Sequence, residues 1–300
     1  MVDRNLVLIP GAAGVGRAVF EKLRAQDVPV RFMVRRKDER AAEVSRLGAE
    51  VVIGDLTRPE TVAAALQGVA RMFFAMAVSP DHLLAATVVA SVAKGYGKLE
   101  ALAGLSQMTV SQMTATSTAE SHQQRLHWLA EQVLNWSGLP VVHIRPTVFL
   151  DTPLFTTMAV RSIRESGTIA LPFGTGRTSP VAVDDVARVV AAVLRNPAPH
   201  IGHVYELTGP RSVDMKELAA AFSRALDRPV AYVDVPLDQW RAGLSRMGLP
   251  PHTEQHVATM AQLHRDNRYD RTADGVERVT GIPPRSIEAF VAARRDFYLG

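Results

Sequence analysis

The stretch LVLIPGAAGVGRAVF, residues 6–20, decides the fold, because an apolar segment there leads into a cluster of glycines and then into a helical pattern. A Rossmann-type dinucleotide site begins in this way, since the turn after the first strand must be tight and its backbone must approach a pyrophosphate. The spacing Gly11-x-x-Gly14-x-Gly16 is one residue shorter than GxxGxxG and also differs from GxGxxG. Taken alone, it is equally compatible with an ordinary glycine-rich turn.

A second apolar run, residues 29–34, follows the first helix and completes a strand–helix–strand unit of the usual length. It ends in Arg35, Arg36 and a lysine, where a protein that binds NAD usually carries an acidic residue. A guanidinium can form a bidentate pair with phosphate, so this turn predicts binding of the 2′-phosphate of NADPH in preference to NADH. The alternative is a solvated basic turn that Asp38 and Glu39 neutralise.

The composition excludes several classes of protein. A chain of 300 residues with 47% hydrophobic and 21% charged residues is typical of a globular enzyme. The chain has no cysteine, which excludes disulfides, thiolate catalysis and cysteine-based metal sites, and predicts a cytoplasmic protein. No apolar run approaches the roughly 20 residues that span a bilayer, so no membrane association is expected. The net charge of +4, without a long basic block, argues against nucleic acid as a partner.

Apolar runs recur along the chain at intervals that are typical of a parallel sheet wound with helices. Further strands are predicted at residues 50–53, 71–75, 99–105, 141–145 and 203–207. Helices are predicted at residues 59–66, 82–93, 120–136 and 183–194. This alternation predicts an α/β, doubly wound Rossmann fold.

The alternation weakens after Pro146, which predicts a smaller C-terminal lobe that binds the substrate. The predicted dinucleotide-binding domain comprises residues 1–152, with residues 178–210 returning to it. The predicted substrate-binding lobe comprises residues 153–177 and 211–300. We expect the lobe beside the carboxyl edge of the sheet, where folds of this class bind their ligands.

Five short segments carry a resemblance to a known family. They are VVIGDL at 51–56, SGLP at 137–140, IRPTVF at 144–149, VAVDDVA at 181–187 and YELTGP at 205–210. In this order they resemble the NmrA-like branch of the atypical short-chain dehydrogenases, over nearly the whole chain. The resemblance implies NADPH-dependent reduction of quinones, azo dyes or triphenylmethane dyes, although the family also contains regulatory members that bind dinucleotides as redox sensors.

The resemblance also implies a cofactor site. It assigns Gly11, Ala12, Gly14 and Gly16 to the pyrophosphate, Arg35 and Arg36 to the 2′-phosphate, Asp55 and Leu56 to the adenine, Ala75, Met76 and Ala77 to the cofactor lining, and Pro146 to the nicotinamide. Two departures concern the first group. The glycine loop is one residue short, and Pro10, which has no N–H to donate, stands where the family usually has Thr.

The Tyr-x-x-x-Lys motif of conventional short-chain dehydrogenases is absent, since neither residue type occurs between Ser106 and Pro140. The resemblance aligns Gln123 with the Tyr and His127 with the Lys, and Glu131 falls on the same helical face. We predict that His127 donates a proton or a hydrogen bond to the substrate, with Ser106 assisting at the end of the fifth strand. The alternative is a structural histidine that packs on an amphipathic helix.

The segment after the fifth strand, residues 106–114, nearly repeats the sequence SQMT. Its two methionines, Met108 and Met113, are the type of soft side chain that adapts to a flat aromatic substrate. An equally simple interpretation is a polar surface loop without a role.

Two histidines four residues apart, His252 and His256, suggest a metal site on one face of a helix. Because the residues between them lack the glutamate position of HExxH and no third ligand is evident, we predict no metal.

Together these patterns predict an NADPH-dependent oxidoreductase that transfers a hydride to a small quinone-like or other conjugated aromatic substrate. A non-catalytic redox sensor of the NmrA type remains an alternative. So does a cofactor-independent tailoring enzyme that acts on an aromatic, polyketide-like substrate, which the shortened loop would permit. A homodimer is one option for assembly, and the sequence does not decide it.

Overall fold

The computed structural model describes residues 5–11 and 13–300, and Ala12 of the predicted phosphate loop lies outside them. Its strands are β1 Val7–Pro10, β2 Val30–Val34, β3 Glu50–Ile53, β4 Arg71–Phe74, β5 Ala101–Leu105, β6 Val141–Pro146, β7 Thr168–Leu171, β8 Arg177–Thr178, β9 Val204–Leu207, β10 Val213–Asp214 and β11 Ala231–Asp234. Its helices are α1 Gly14–Arg24, α2 Glu39–Arg46, α3 Pro59–Ala65, α4 His82–Tyr96, α5 His122–Trp136, α6 Thr157–Ser166, α7 Val183–Arg195, α8 Met215–Leu226, α9 Leu237–Arg246, α10 Pro251–Arg265, α11 Gly275–Thr280, α12 Ile287–Ala292 and α13 Arg295–Leu299.

The predicted α/β doubly wound Rossmann fold is confirmed by a seven-stranded sheet in the order β3-β2-β1-β4-β5-β6-β9. Strand β1 lies inside this sheet, where all four of its residues are buried, as expected for a parallel strand covered on both faces. Its residue Val7 pairs in parallel with Val30 of β2 on one side and with Arg71 of β4 on the other. The strand order reverses between β1 and β4, so the carboxyl ends of these two strands form the topological switch point.

The chain divides into two compact units. The first comprises Met1–Val110, of which residues 5–11 and 13–110 are described, together with Gln123–Arg145 and Val186–Tyr205. Its core includes a cluster of buried side chains from β1, β4, α3 and α4, among them Leu8, Met72 and Val89. This packing fixes the strands whose carboxyl ends carry most of the predicted cofactor residues.

The second unit comprises Ser111–His122, Pro146–Asp185 and Glu206–Gly300. It contains two small sheets, one of β8 with β10 in antiparallel pairing and one of β7 with β11 in parallel pairing. A cluster of buried side chains, including Phe155, Phe222 and Phe290, forms its core. The predicted division differs from these bounds, because residues 111–122, 146–152, 178–185 and 206–210 all belong to the second unit.

The segment Ser111–His122 belongs to the second unit because distant side chains bind it. Arg268 pairs with the carboxylate of Glu120 at 2.7 Å, and Arg271 donates to the hydroxyl of Ser111. The hydroxyl of Ser121 lies 2.8 Å from Nδ1 of His256 on α10. These contacts join parts of the chain more than 130 residues apart, which local sequence patterns do not report.

Within residues 5–11 and 13–300, no helix is both long enough and apolar enough to cross a membrane.

Candidate functional site

Three glycines shape the turn between β1 and α1. Gly11 and Gly14 have φ angles of +79° and +54°, in the left-handed region that residues with a side chain rarely adopt. A Cβ at either position would meet no described atom within 4 Å, so the space beside this turn is open. At Gly16, by contrast, a Cβ would lie 2.7 Å from the carbonyl oxygen of Gly11, so only glycine lets α1 pack this closely against the turn.

Helix α1 begins without a side-chain cap, because its N-cap residue is Ala13. The first N–H groups of a helix have no partner within the helix and carry partial positive charge, which suits a bound anion. The first turn of α1 holds no acidic residue that would repel such an anion. Although the loop is one residue short, its described residues therefore keep the open space and the uncapped helix end that a pyrophosphate requires.

The basic turn after β2 presents Arg35 to solvent, with 68% of its side chain exposed. Its Nε lies 3.5 Å from Oδ2 of Asp55, which follows β3. Hydrogen bonds from the backbone N–H and the hydroxyl of Thr57, together with the charge of Arg35, hold the pKa of Asp55 below its ordinary value. Asp55 is therefore a carboxylate at neutral pH, and Leu56 beside it is buried.

The acidic neighbour Asp38 does not lie against Arg35. Its Oδ1 accepts a hydrogen bond from the backbone N–H of Ala41 and so caps α2, while its Oδ2 binds the guanidinium of Arg40 at 2.7 Å. Arg36 lies beside Arg35 on the exposed turn. The charge of Arg36 also contributes to a lowered pKa of Asp38, so the alternative of a basic turn that Asp38 and Glu39 neutralise stays open.

The residues after β4 lie at the switch point of the sheet. Ala75 and Met76 are partly buried and Ala77 is exposed. The backbone N–H of Ser79 donates to Oε1 of Gln123 on α5 at 3.1 Å, which fixes the end of this segment. Gln123 thus has a structural role at the position that the resemblance aligns with the Tyr of conventional short-chain dehydrogenases.

The predicted catalytic pair, Ser106 and His127, lies together in the first unit. Ser106 follows β5 directly and His127 lies on α5, and both side chains line a cavity of about 10 Å³. Both are more than nine-tenths buried. The full lining consists of Phe74, His82, Gly104, Leu105, Ser106, His127, Ala130, Glu131, Leu134 and His143.

Two further histidines belong to this cavity. The ring of His82 lies 4.0 Å from the ring of His127, between centroids, with an interplanar angle of 48°. Burial lowers the pKa of His82 to about 4, so its ring is neutral near pH 7. His143 on β6 has its Nε2 at 2.7 Å from Oδ1 of Asn135.

Glu131 does not act as an unpaired carboxylate here. Arg145 binds it in bidentate geometry, with distances of 3.0 Å from Nε to Oε1 and 2.5 Å from Nη2 to Oε2. Only 3% of the Glu131 side chain is exposed. Removing either partner would leave a buried charge uncompensated, which makes the pair structural.

The methionines of the repeated segment are buried. Met108 is fully buried in a short 3₁₀ helix, Met108–Gln112, and Met113 is nearly so. The alternative of a polar surface loop does not describe this segment, because its apolar side chains are buried. Contact of the two methionines with a flat aromatic substrate stays a prediction. Pro146 is the last residue of β6, and its place near the nicotinamide stays a prediction.

The histidines of α10 are engaged within the second unit. His256 lies against the hydroxyl of Ser121, and the His264 ring is stacked 3.9 Å from the ring of Phe173 and 4.0 Å from that of Tyr269. Across residues 5–11 and 13–300, no group of three His, Cys, Asp or Glu side chains could hold a metal ion.

The buried ring of His264 makes the stability of the protein dependent on pH. Burial lowers its pKa in the folded protein to about 4, from 6.5 for an exposed histidine. The unfolded chain therefore binds the proton first, and we expect the free energy of unfolding to fall as the pH drops from about 6.5 toward 4, by up to about 1.4 kcal/mol per pH unit. Urea denaturation at several pH values measures this slope. His264→Phe should make it shallower, and an unchanged slope would contradict the assignment.

Residues 11–197 match the family model described as NAD(P)H-binding. The chain belongs to this NAD(P)H-binding family. The match begins at Gly11, the first glycine of the turn, and includes the cavity around His127. A nicotinamide dinucleotide is therefore the class of cofactor that this family binds.

Three known proteins are similar to this chain over most of its length. The chain is 30% identical to an NAD(P)H azoreductase of Xenophilus azovorans, over 96% of this chain and 97% of the relative. Its fold matches the NADPH complex of quinone oxidoreductase QOR2 from Escherichia coli, with a TM-score of 0.81, 21% identity and coverage of 96% and 99%. It also matches NmrA, a negative transcriptional regulator in complex with NADP, with a TM-score of 0.80, 16% identity and coverage of 96% and 94%. The resemblance to the NmrA-like branch is confirmed.

Sequence reasoning missed His82 and His143 as neighbours of the predicted catalytic residues. For His143 a signal existed, because it lies two residues before Arg145 on a strand, so the two side chains lie on the same face. Arg145 binds Glu131, which shares a helical face with His127. For His82 no local signal existed, because the first residue of a helix can face any neighbouring element. Its contact with His127 depends on how α4 and α5 pack over the sheet.

Proposed function

We propose that the protein is an NADPH-dependent reductase that transfers a hydride to a conjugated acceptor, such as a quinone or an azo compound. The observation that carries this proposal is the position of His127 and Ser106 beyond β5, one strand from the switch point at which the glycine turn begins. The names of the azoreductase and of the quinone oxidoreductase support the choice of acceptor. The overall reaction consumes the acceptor, NADPH and one proton and yields the reduced acceptor and NADP⁺.

The described residues fit the cofactor. The backbone of the turn at Gly11 and Gly14, with the N-terminus of α1, would bind the pyrophosphate, since the turn is open and the helix end is uncapped. Arg35, with Arg36 beside it, would bind the 2′-phosphate. Asp55 and Leu56 would flank the adenine.

The segment Ala75–Ala77 would line the nicotinamide end, which supplies the hydride when the cofactor is bound. The protein itself must hold the cofactor and the acceptor in a reactive orientation and supply a proton.

His127 is the residue we propose for the proton. A histidine can donate a proton near neutral pH, and this one is almost completely buried, where a hydrogen bond to developing negative charge is strengthened. Ser106 would assist from the same wall of the cavity. Gln123 and Glu131 would not take part directly, since they bind Ser79 and Arg145.

The decisive experiment measures the oxidation of NADPH by the purified protein with a panel of quinones, azo dyes and enones. Turnover with at least one acceptor supports the reductase. Binding of NADPH and NADP⁺ with clearly different affinities, but no turnover, would favour the redox sensor instead, a function for which the fold of the NmrA regulator is the supporting observation. Failure to bind either dinucleotide would favour the cofactor-independent enzyme.

The preference for NADPH provides a second test. Arg35→Ala should weaken NADPH binding tenfold or more, on the order of 1.5 to 3 kcal/mol for a lost charge-assisted phosphate contact, and leave NADH binding nearly unchanged. Titration of protein fluorescence with each dinucleotide measures both affinities. Arg40→Ala is the matched control, because Arg40 is an exposed arginine of the same turn region whose guanidinium binds Asp38. Equal affinities of the unaltered protein for NADPH and NADH would contradict the assignment.

A further inference from the structure

Three polar atoms point to an additional binding site inside the first unit. Oγ of Ser106, Nδ1 of His82 and Nδ1 of His143 are each buried and have no hydrogen-bond partner among the described residues. The three residues are only 6%, 1% and 4% exposed, and all of them line the same cavity. A buried polar atom without a partner is costly, so three around one cavity indicate a shared ligand.

The chemistry of His143 defines what that ligand must donate. Its Nε2 lies 2.7 Å from the carbonyl-type oxygen Oδ1 of Asn135, and an oxygen accepts, so Nε2 carries the hydrogen. Burial lowers the pKa of His143, which keeps the ring neutral. Nδ1 therefore presents a lone pair to the cavity and requires a donor.

The cavity has room for one water molecule. Its volume of about 10 Å³ is at the threshold at which one water fits, and a buried water typically makes about three hydrogen bonds. We propose that this cavity binds one ordered water, which accepts a hydrogen bond from the hydroxyl of Ser106 and donates one to Nδ1 of His143 and one to Nδ1 of His82. All three protein atoms are then satisfied, and so are the two hydrogens of the water.

The water gives His82 a positioning role behind His127, a consequence that rests on the proposed function. It fixes the plane of the His82 ring, whose centroid lies 4.0 Å from that of His127, and it fixes the direction of the Ser106 hydroxyl. The water therefore positions Ser106 directly and His127 through the ring of His82. The water site itself can be tested without substrate or cofactor.

Gly104→Ala tests this proposal, because the variant should lower the Tm if the cavity holds a water and raise it if the cavity is dry. A Cβ at Gly104 would lie 3.5 Å from Leu134 and 3.8 Å from Nδ1 of His143, both on the cavity wall and both at ordinary contact distance. Gly104→Ala would therefore displace a bound water and leave three polar atoms unsatisfied. We expect the Tm of this variant to fall by at least about 3 °C.

Gly95→Ala is the matched control. Gly95 lies in α4, outside the left-handed region, and a Cβ there would meet no described atom within 4 Å. The exchange should raise the Tm by about 1–3 °C, because alanine favours the helix and restricts the unfolded chain. If Gly104→Ala also raises the Tm, the methyl group has filled a dry cavity and the proposal is wrong.

A high-resolution crystal structure of the unaltered protein provides a second measurement if Gly104→Ala fails to fold. We expect one density peak within about 2.7–3.2 Å of Oγ of Ser106 and of both Nδ1 atoms. A cavity without density at that position would overturn the proposal. Either result leaves the reductase proposal to the NADPH assay, so the two failures are distinguishable.

Discussion

Gly14→Val is expected to abolish dinucleotide binding in a chain that still folds, a loss of at least about a hundredfold in affinity. Gly14 opens α1 and has open space around its missing Cβ, which is the space that a pyrophosphate needs to reach the backbone N–H groups. A branched side chain would occupy that space. Fluorescence titration with NADPH measures the binding, and circular dichroism shows whether the fold persists.

The control for this substitution must separate backbone strain from steric exclusion. Gly14 has a φ of +54°, so valine also strains the chain there by about 1–2 kcal/mol. Gly202 has a φ of +81° and equally open surroundings, but it lies before β9, far along the chain from the turn. Gly202→Val should carry the strain and keep NADPH binding. A folded Gly14→Val variant that binds NADPH normally would show that the cofactor binds elsewhere.

The second large effect concerns the reaction. His127→Ala should lower kcat/KM by roughly a hundredfold or more, the usual scale of one acid–base contribution, with little change in NADPH affinity. Steady-state kinetics with an accepted quinone or azo dye measures the loss. His122→Ala is the control, since His122 begins the same helix, is exposed, and donates its backbone N–H, which the exchange keeps, to Gln255.

A lysine at position 127 distinguishes two roles for the histidine. His127→Lys should recover part of the lost activity if the side chain only holds the substrate or the ribose, because Lys occupies the aligned position in the wider superfamily. It should recover little if an imidazole proton is needed near neutral pH. If His127 is structural, the alanine variant would instead lose thermal stability while its folded fraction keeps full turnover.

Much of the first unit could be predicted from local patterns. The buried run of β1, the glycines after it and the basic end of β2 are contiguous in sequence, so their periodicity and spacing report the strand–turn–helix–strand unit directly. The strand predicted at residues 50–53 is observed as β3, and the helix predicted at 183–194 is observed one residue longer as α7. The helix predicted at 120–136 begins two residues later, at His122.

The interior of the site could not be predicted in the same way. His82 contacts His127 across 45 residues, and Arg268 binds Glu120 across 148. Local periodicity assigns each side chain to a face of its own element but does not say which distant face it meets.

The order of the two units' segments along the chain limits how recombination can exchange one unit between proteins. Each unit is assembled from three separate segments, and the chain passes between them at residues 110/111, 122/123, 145/146, 185/186 and 205/206. A single crossover therefore cannot exchange the whole second unit for that of another protein, because segments of the first unit separate its three segments along the chain. Exchange of the whole second unit would require crossovers at all five of these junctions.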